Sequence, residues 1–197
     1  MTDVVLHTID NANQGQKKFA NSAITRLKDI VNDPDFLYKV RNGNYSYRKY
    51  HEDDGVYIEA DNNLIVEIIS KGKERNTQNN NTIDLQIKID RLKPKVVGSV
   101  TPPNPSITTN SLFFNPWMEK SDELSLAAHW MHEWLHVAGF YHKDKSPDQN
   151  DINYSIGKFV IEIGRQHALQ NGISESKAST LGEGYLDSYK EHFNCME

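Results

Sequence analysis

Cysteine is almost absent from this chain. Cys195 stands alone, so no disulfide can form within one copy. At 197 residues the chain can bury a core that needs no such bridge, and a lone thiol is compatible with a reducing compartment without requiring one. Basic residues are sparse too: 22 lysines and arginines face 27 acidic residues, a formal charge of −5 that argues against a nucleic-acid partner. No basic stripe offsets that balance, and the run Lys71-Gly72-Lys73-Glu74-Arg75 reads as the solvated end of a helix. No apolar run approaches the roughly 20 residues of a membrane-spanning helix, so no membrane partner is expected. Met1 to His7 lack the basic segment and apolar core of a standard secretion signal, as in a cytoplasmic protein or one exported by a non-classical route.

What is present is a globular balance of 37% hydrophobic and 25% charged residues, enough for one domain over residues 1–197. Phe19, Ile24, Leu27 and Ile30 recur at helical spacing within residues 14–33, and Asn32-Asp33-Pro34 ends that helix. Residues 35–55 carry Asn42-Gly43 and Asp54-Gly55, which predict turns between short strands. Leu64–Ile69 predicts a short helix with a glycine cap at Gly72, and Arg75–Thr82 a surface loop.

Ile83, Leu85, Ile87 and Ile89 alternate with polar residues, predicting a strand with one buried face. Val96–Thr101 reads as the next strand, interrupted by Pro102-Pro103-Asn104-Pro105, with Ser106–Phe114 a loop or edge strand. Ser121 or Asp122 can cap a long helix running to about Val137. After a loop over about 143–153, Ile156–Ile163 begins another helix, and one or two peripheral helices fill the polar tail from Ala168. This order is an α+β pattern rather than a βαβ alternation.

The most informative segment is His132-Glu133-Trp134-Leu135-His136-Val137-Ala138-Gly139-Phe140-Tyr141-His142. Residues four apart share a helix face, so His132 and His136 can direct their imidazoles at one ion. Glu133, one position on, sits beside that ion, where a carboxylate can take a proton from metal-bound water. Gly139 can end the helix in a left-handed turn that brings His142 back as a third ligand. Three neutral histidines with one open position match catalytic zinc, because a structural site fills all four. His129, one turn earlier, reads as a packed or supporting histidine. His7, His51, His167 and His192 carry no motif and read as surface residues, while Trp130, Trp134 and Val137 form a second apolar stripe that anchors the helix.

The pattern His132-Glu133-x-x-His136-x-x-Gly139-x-x-His142 resembles the extended zinc signature of the metzincin metallopeptidases, and Gly139–His142 is locally similar to its astacin version. The resemblance implies a zincin-like fold: a twisted mixed sheet packed with an active-site helix, an upper lobe over about 1–139 and a small lower lobe over about 140–197. It implies Zn2+ on His132, His136 and His142, with Glu133 as general base. It also implies a protein or peptide substrate lying extended along an edge strand, which the segment Val97–Asn110 is placed to supply.

One departure stands out. The clan carries a methionine in a tight turn beneath the zinc, yet after His142 this chain has only Met196. Asp151–Gly157 is the candidate for the equivalent turn, with Ile156 as its apolar floor. Tyr154 resembles, in type and place, a tyrosine that some metzincins use to bind zinc or stabilise the transition state; a plain turn or core tyrosine is the other reading. Lys143, Asp144, Lys145, Asp148 and Asp151 give the rim beyond His142 a polar character. The expected function is a zinc-dependent endopeptidase. The alternatives are a zinc amidase acting on bacterial cell-wall peptides and a zinc-stabilised binding module without turnover.

Overall fold

The chain opens with a strand, β1 (Asp3–Asp10), followed by helices α1 (Gln14–Val31) and α2 (Pro34–Asn42). The computed structural model describes residues 1–100, 105–143 and 148–194, the last four by backbone only. β1 has little sequence signature, since Val4 is its one fully buried residue. Asn13 and Gln16 start α1 with a reciprocal capping box, and Phe19, Ala23, Leu27 and Ile30 form its buried face. That agrees with the helix expected over 14–33.

The break at Asp33-Pro34 starts a helix as well as ending one. Asp33 accepts the Asp35 N–H and Pro34 occupies the first turn, where a missing N–H breaks no helical bond. Phe36 and Val40 bury α2, so Asn42-Gly43 closes a helix instead of joining strands. The short strands expected over 35–55 shrink to the antiparallel hairpin of β2 (Lys49–His51) and β3 (Tyr57–Glu59), which Asp54-Gly55 turns. Helix α3 (Asn62–Lys71) ends at Gly72 in the left-handed conformation, as its glycine predicts.

Strands β4 (Thr82–Asp90), β5 (Gly98–Val100) and β6 (Ser106–Asn110) join β1 in a mixed four-stranded sheet of order β1-β4-β6-β5. β1, β4 and β6 run parallel and β5 is antiparallel to β6. Ile83, Leu85, Ile87 and Ile89 point into the core. The expectation for Ser106–Phe114 is corrected: β6 lies inside the sheet, and at Asn110 the chain enters a helix, α4 (Ser111–Glu119). Asn110 caps α4 by accepting the Leu112 N–H and donates to Lys93 O and Val96 O, tying the approach to β5 onto β6. The sheet's edge beside α5 is therefore β5. Thr101, Pro102, Pro103 and Asn104 lie outside the described residues, as do Asp144, Lys145 and Cys195.

Helix α5 (Glu123–Ala138) begins at an Asp122 cap and is buried on nearly every side, with only Glu123 and His136 not fully covered. Such a helix needs apolar residues all round and a partner for each polar group. Trp130 Nε1 donates to Thr109 Oγ1 at 3.1 Å, and Trp134 Nε1 donates to Glu74 Oε1 at 2.9 Å. Glu74 is thus buried beneath α5 and not part of a solvated helix end.

Three helices follow: α6 (Ile152–Gln170), α7 (Glu175–Ala178) and α8 (Glu183–Asn194). α6 starts four residues before the expected Ile156, because Asp151 caps it by accepting the Tyr154 N–H. The stretch Asp151–Gly157 is therefore a helix cap and first turns, not a free turn, though Ile156 is fully buried. α8 is not peripheral: Tyr185 and Tyr189 bury themselves against α5. The described residues thus form a mixed α+β arrangement with one four-stranded sheet and eight helices, none of them long and apolar enough to cross a membrane.

Candidate metal centre

α5 carries His132, Glu133 and His136 at its C-terminal end, and Gly139 terminates it at φ +115°. A side chain there would be strained by that angle, and its Cβ would lie 2.8 Å from the His51 carbonyl. The turn is sealed by the Gly139 and Phe140 N–H groups donating to Leu135 O at 3.1 and 2.9 Å. The chain then doubles back. The ligand nitrogens of His132, His136 and His142 lie within 4.8 Å of one another, close enough to hold a metal ion.

Each of the three rings has its Nδ1 turned to a protein group. His132 Nδ1 faces the Tyr185 hydroxyl at 3.2 Å, His136 Nδ1 the Phe140 carbonyl at 2.8 Å, and His142 Nδ1 an Asp151 carboxylate oxygen at 2.6 Å. Carbonyl and carboxylate oxygens only accept, so His136 and His142 carry their protons on Nδ1 and their lone pairs on Nε2. Those two Nε2 atoms are 3.2 Å apart. Facing lone pairs at that distance repel unless a cation lies between them. Tetrahedral zinc with Zn–N of about 2.0–2.1 Å would set the two nitrogens about 3.3 Å apart. The donor set therefore fits a metal ion, and imidazoles suit zinc, copper, nickel or iron better than magnesium or calcium. Burial pushes His136 down to about 3, with His142 adding to it and the Phe140 carbonyl opposing, so its imidazole is neutral as a ligand must be.

Glu133 is buried but is not part of the ligand cluster. Desolvation pushes its carboxyl up to about 8; a cation nearby would favour the carboxylate. It faces β5, where a Cβ on Gly98 would overlap the His129 ring and lie 2.8 Å from Glu133 Oε1. His129 is fully buried and outside the cluster, and burial pushes it down to about 3. Its Nε2 meets Thr109 Oγ1 and its Nδ1 the Tyr189 hydroxyl, each at 3.3 Å. Thr109 Oγ1 also accepts from Trp130 Nε1 and so links the two side chains of α5. His129 is thus a packed, supporting histidine.

Tyr154, on the first turn of α6, stacks on His142 with centroids 4.7 Å apart at 19° and meets His132 edge-on at 4.8 Å. Burial holds its phenol well above the usual range, with the Asp151 and Glu133 charges adding to the effect. The structure thus brings together His132, Glu133, His136, His142 and Tyr154. It adds residues the sequence did not single out. Tyr185 touches His132 through its hydroxyl, Tyr189 stacks on the same ring at 4.9 Å, and Asn153 Nδ2 donates to the His132 carbonyl. Tyr185 and Tyr189, four apart and so on one face of α8, were the sequence signal for this wall. Asp151, read as a rim residue, is fully buried.

The remaining histidines stay apart from the cluster. His7 meets Asp84, His167 meets Asp33, and His51 stacks on Tyr57 at 4.2 Å; the side chain of His192 lies outside the described residues. Between β5 and the histidines runs a cleft of ≈ 420 Å³, with Val96–Val100 on one wall and Glu133, Tyr154 and Tyr189 beside the three ligands on the other. No protein-family model matches the chain, and neither the curated proteins nor the solved structures contain a match to it.

Proposed function

We propose that the chain is a zinc-dependent endopeptidase of zincin-like architecture, akin to the metzincins, with lobes above and below the cleft divided near Gly139. One observation carries this reading: a buried carboxylate, Glu133, sits next to the three-histidine cluster without joining it and lines the same cleft. A module that used a metal only for stability would need neither that carboxylate nor an open cleft.

Zinc held by His132, His136 and His142 would supply a Lewis acid that acidifies water and polarises a carbonyl. Glu133 takes the proton of the attacking water and returns it to the leaving amine. Tyr154, packed against two of the ligands, is the candidate donor to the oxygen that gains charge as the carbonyl becomes tetrahedral. β5 borders the cleft at the edge of the sheet, so an extended peptide can add to it as a further strand.

Glu133→Gln preserves the side-chain shape and removes the base. It is expected to bind zinc with unchanged stoichiometry and lose about 10²–10⁴-fold in turnover on an unfolded protein substrate. Full turnover in this variant would overturn the role of Glu133. Hydrolysis of cell-wall peptides without cleavage of unfolded proteins would keep the chemistry and replace the substrate.

A further inference from the structure

Asp151 is fully buried, and its two carboxylate oxygens serve different partners. Oδ1 accepts the Tyr154 N–H at 3.1 Å and so caps α6, while Oδ2 accepts His142 Nδ1–H at 2.6 Å. The backbone on either side is held too. Asp151 N–H donates to Asp148 O at 2.9 Å and Ile152 N–H donates to Tyr47 O at 3.1 Å. Among the described residues the ion-pair partner of Asp151 is His142, with no lysine or arginine in reach.

A carboxylate this deep is costly unless positive charge compensates it. The N-terminus of α6 supplies part of that compensation. The remainder falls to the His142 ring, which becomes a stronger donor at Nδ1 when a cation sits on its Nε2.

We propose that Asp151 is the positioning residue that makes His142 a metal ligand. Its carboxylate selects the His142 tautomer with the proton on Nδ1, which leaves the Nε2 lone pair facing His136 Nε2 at 3.2 Å. The same carboxylate anchors the first turn of α6, and with it Tyr154, whose ring backs His142 at 4.7 Å. One residue thereby fixes both the third ligand and the aromatic wall behind it. This role rests on the reading of the three histidines as a metal centre, and not on peptidase activity.

Asp151→Asn tests it in the full chain. The asparagine Oδ1 can still cap α6, but its NH2 then faces His142 Nδ1 and favours the tautomer protonated on Nε2. An Asp-to-Asn change beside a functional histidine can preserve geometry while imposing the wrong tautomer. Zinc affinity, measured by competition with a chromogenic chelator, is expected to fall about 10–100-fold. The metal-free variant should melt no lower than the wild type, because a buried charge has been removed. In a His142→Ala background the same substitution should cause no further loss of affinity. Asp151→Ser, which retains a capping oxygen but is too short to reach His142, should reproduce the loss and stands in should the asparagine variant not fold. Wild-type zinc affinity in these variants, or an equal further loss in the His142→Ala background, would overturn the proposal. A wild-type chain that binds no zinc would overturn the metal centre and this role together.

Discussion

Glu74 shows how a single buried group ties the site helix to the rest of the fold. Its Oε1 accepts Trp134 Nε1–H at 2.9 Å and the Asp84 N–H at 2.8 Å. Burial nevertheless raises its carboxyl above the ordinary 4.5, with those two bonds opposing the rise. The folded protein therefore holds this proton more tightly than the unfolded chain does. Stability contributed by the group is greatest at acid pH, falls as pH rises through 4.5 toward the folded value, and is level above it. Glu74→Gln keeps an acceptor for Trp134 and Asp84 without the charge. Its melting temperature should equal or exceed that of the wild type near about pH 8, with the difference closing near about pH 4. A difference that grows on acidification would contradict this account of Glu74. The three clustered histidines obey the same rule of partnered burial, since each Nδ1 has its own protein partner.

Among the elements, β5 and α5 are set by a close approach at Gly98. Gly98→Ala should destabilise the fold by about 1–3 kcal/mol, as overpacking does, and reduce turnover by displacing Glu133. Chemical denaturation and peptide hydrolysis check both parts; unchanged values would mean that β5 can withdraw without consequence. α5 was legible in the sequence because histidines four apart, an acid beside the first and a terminating glycine all point to one helix. α6 was found but started four residues late, because Asp151 looks like a polar loop residue until its oxygens are seen to cap a helix and hold His142. Ser106–Asn110 looked like a loop or edge for a similar reason: its polar Thr109 and Asn110 are buried by partners distant in sequence, the Trp130 and His129 side chains of α5 and the carbonyls of Lys93 and Val96. Nothing in the spacing of Tyr185 and Tyr189 says which helix they will meet. That is decided by α8 folding back onto α5 across more than 50 intervening residues.

At the scale of the molecule, the candidate centre is a meeting point of distant segments. β5, α5, the stretch through His142, α6 and α8 all place residues within or beside it. α5 runs through the core and meets α1, α6 and α8, so two of the three clustered histidines, His132 and His136, stand on a helix packed from several sides. We propose that this convergence serves a metal that activates water for peptide hydrolysis. Its most direct test is cleavage of an unfolded protein by the purified chain, before and after removal of metal with a chelator and again after zinc is restored. Cleavage is expected to stop on chelation and to return with zinc; cleavage that persists without metal, or none from the zinc-loaded chain, would contradict a zinc-dependent hydrolysis.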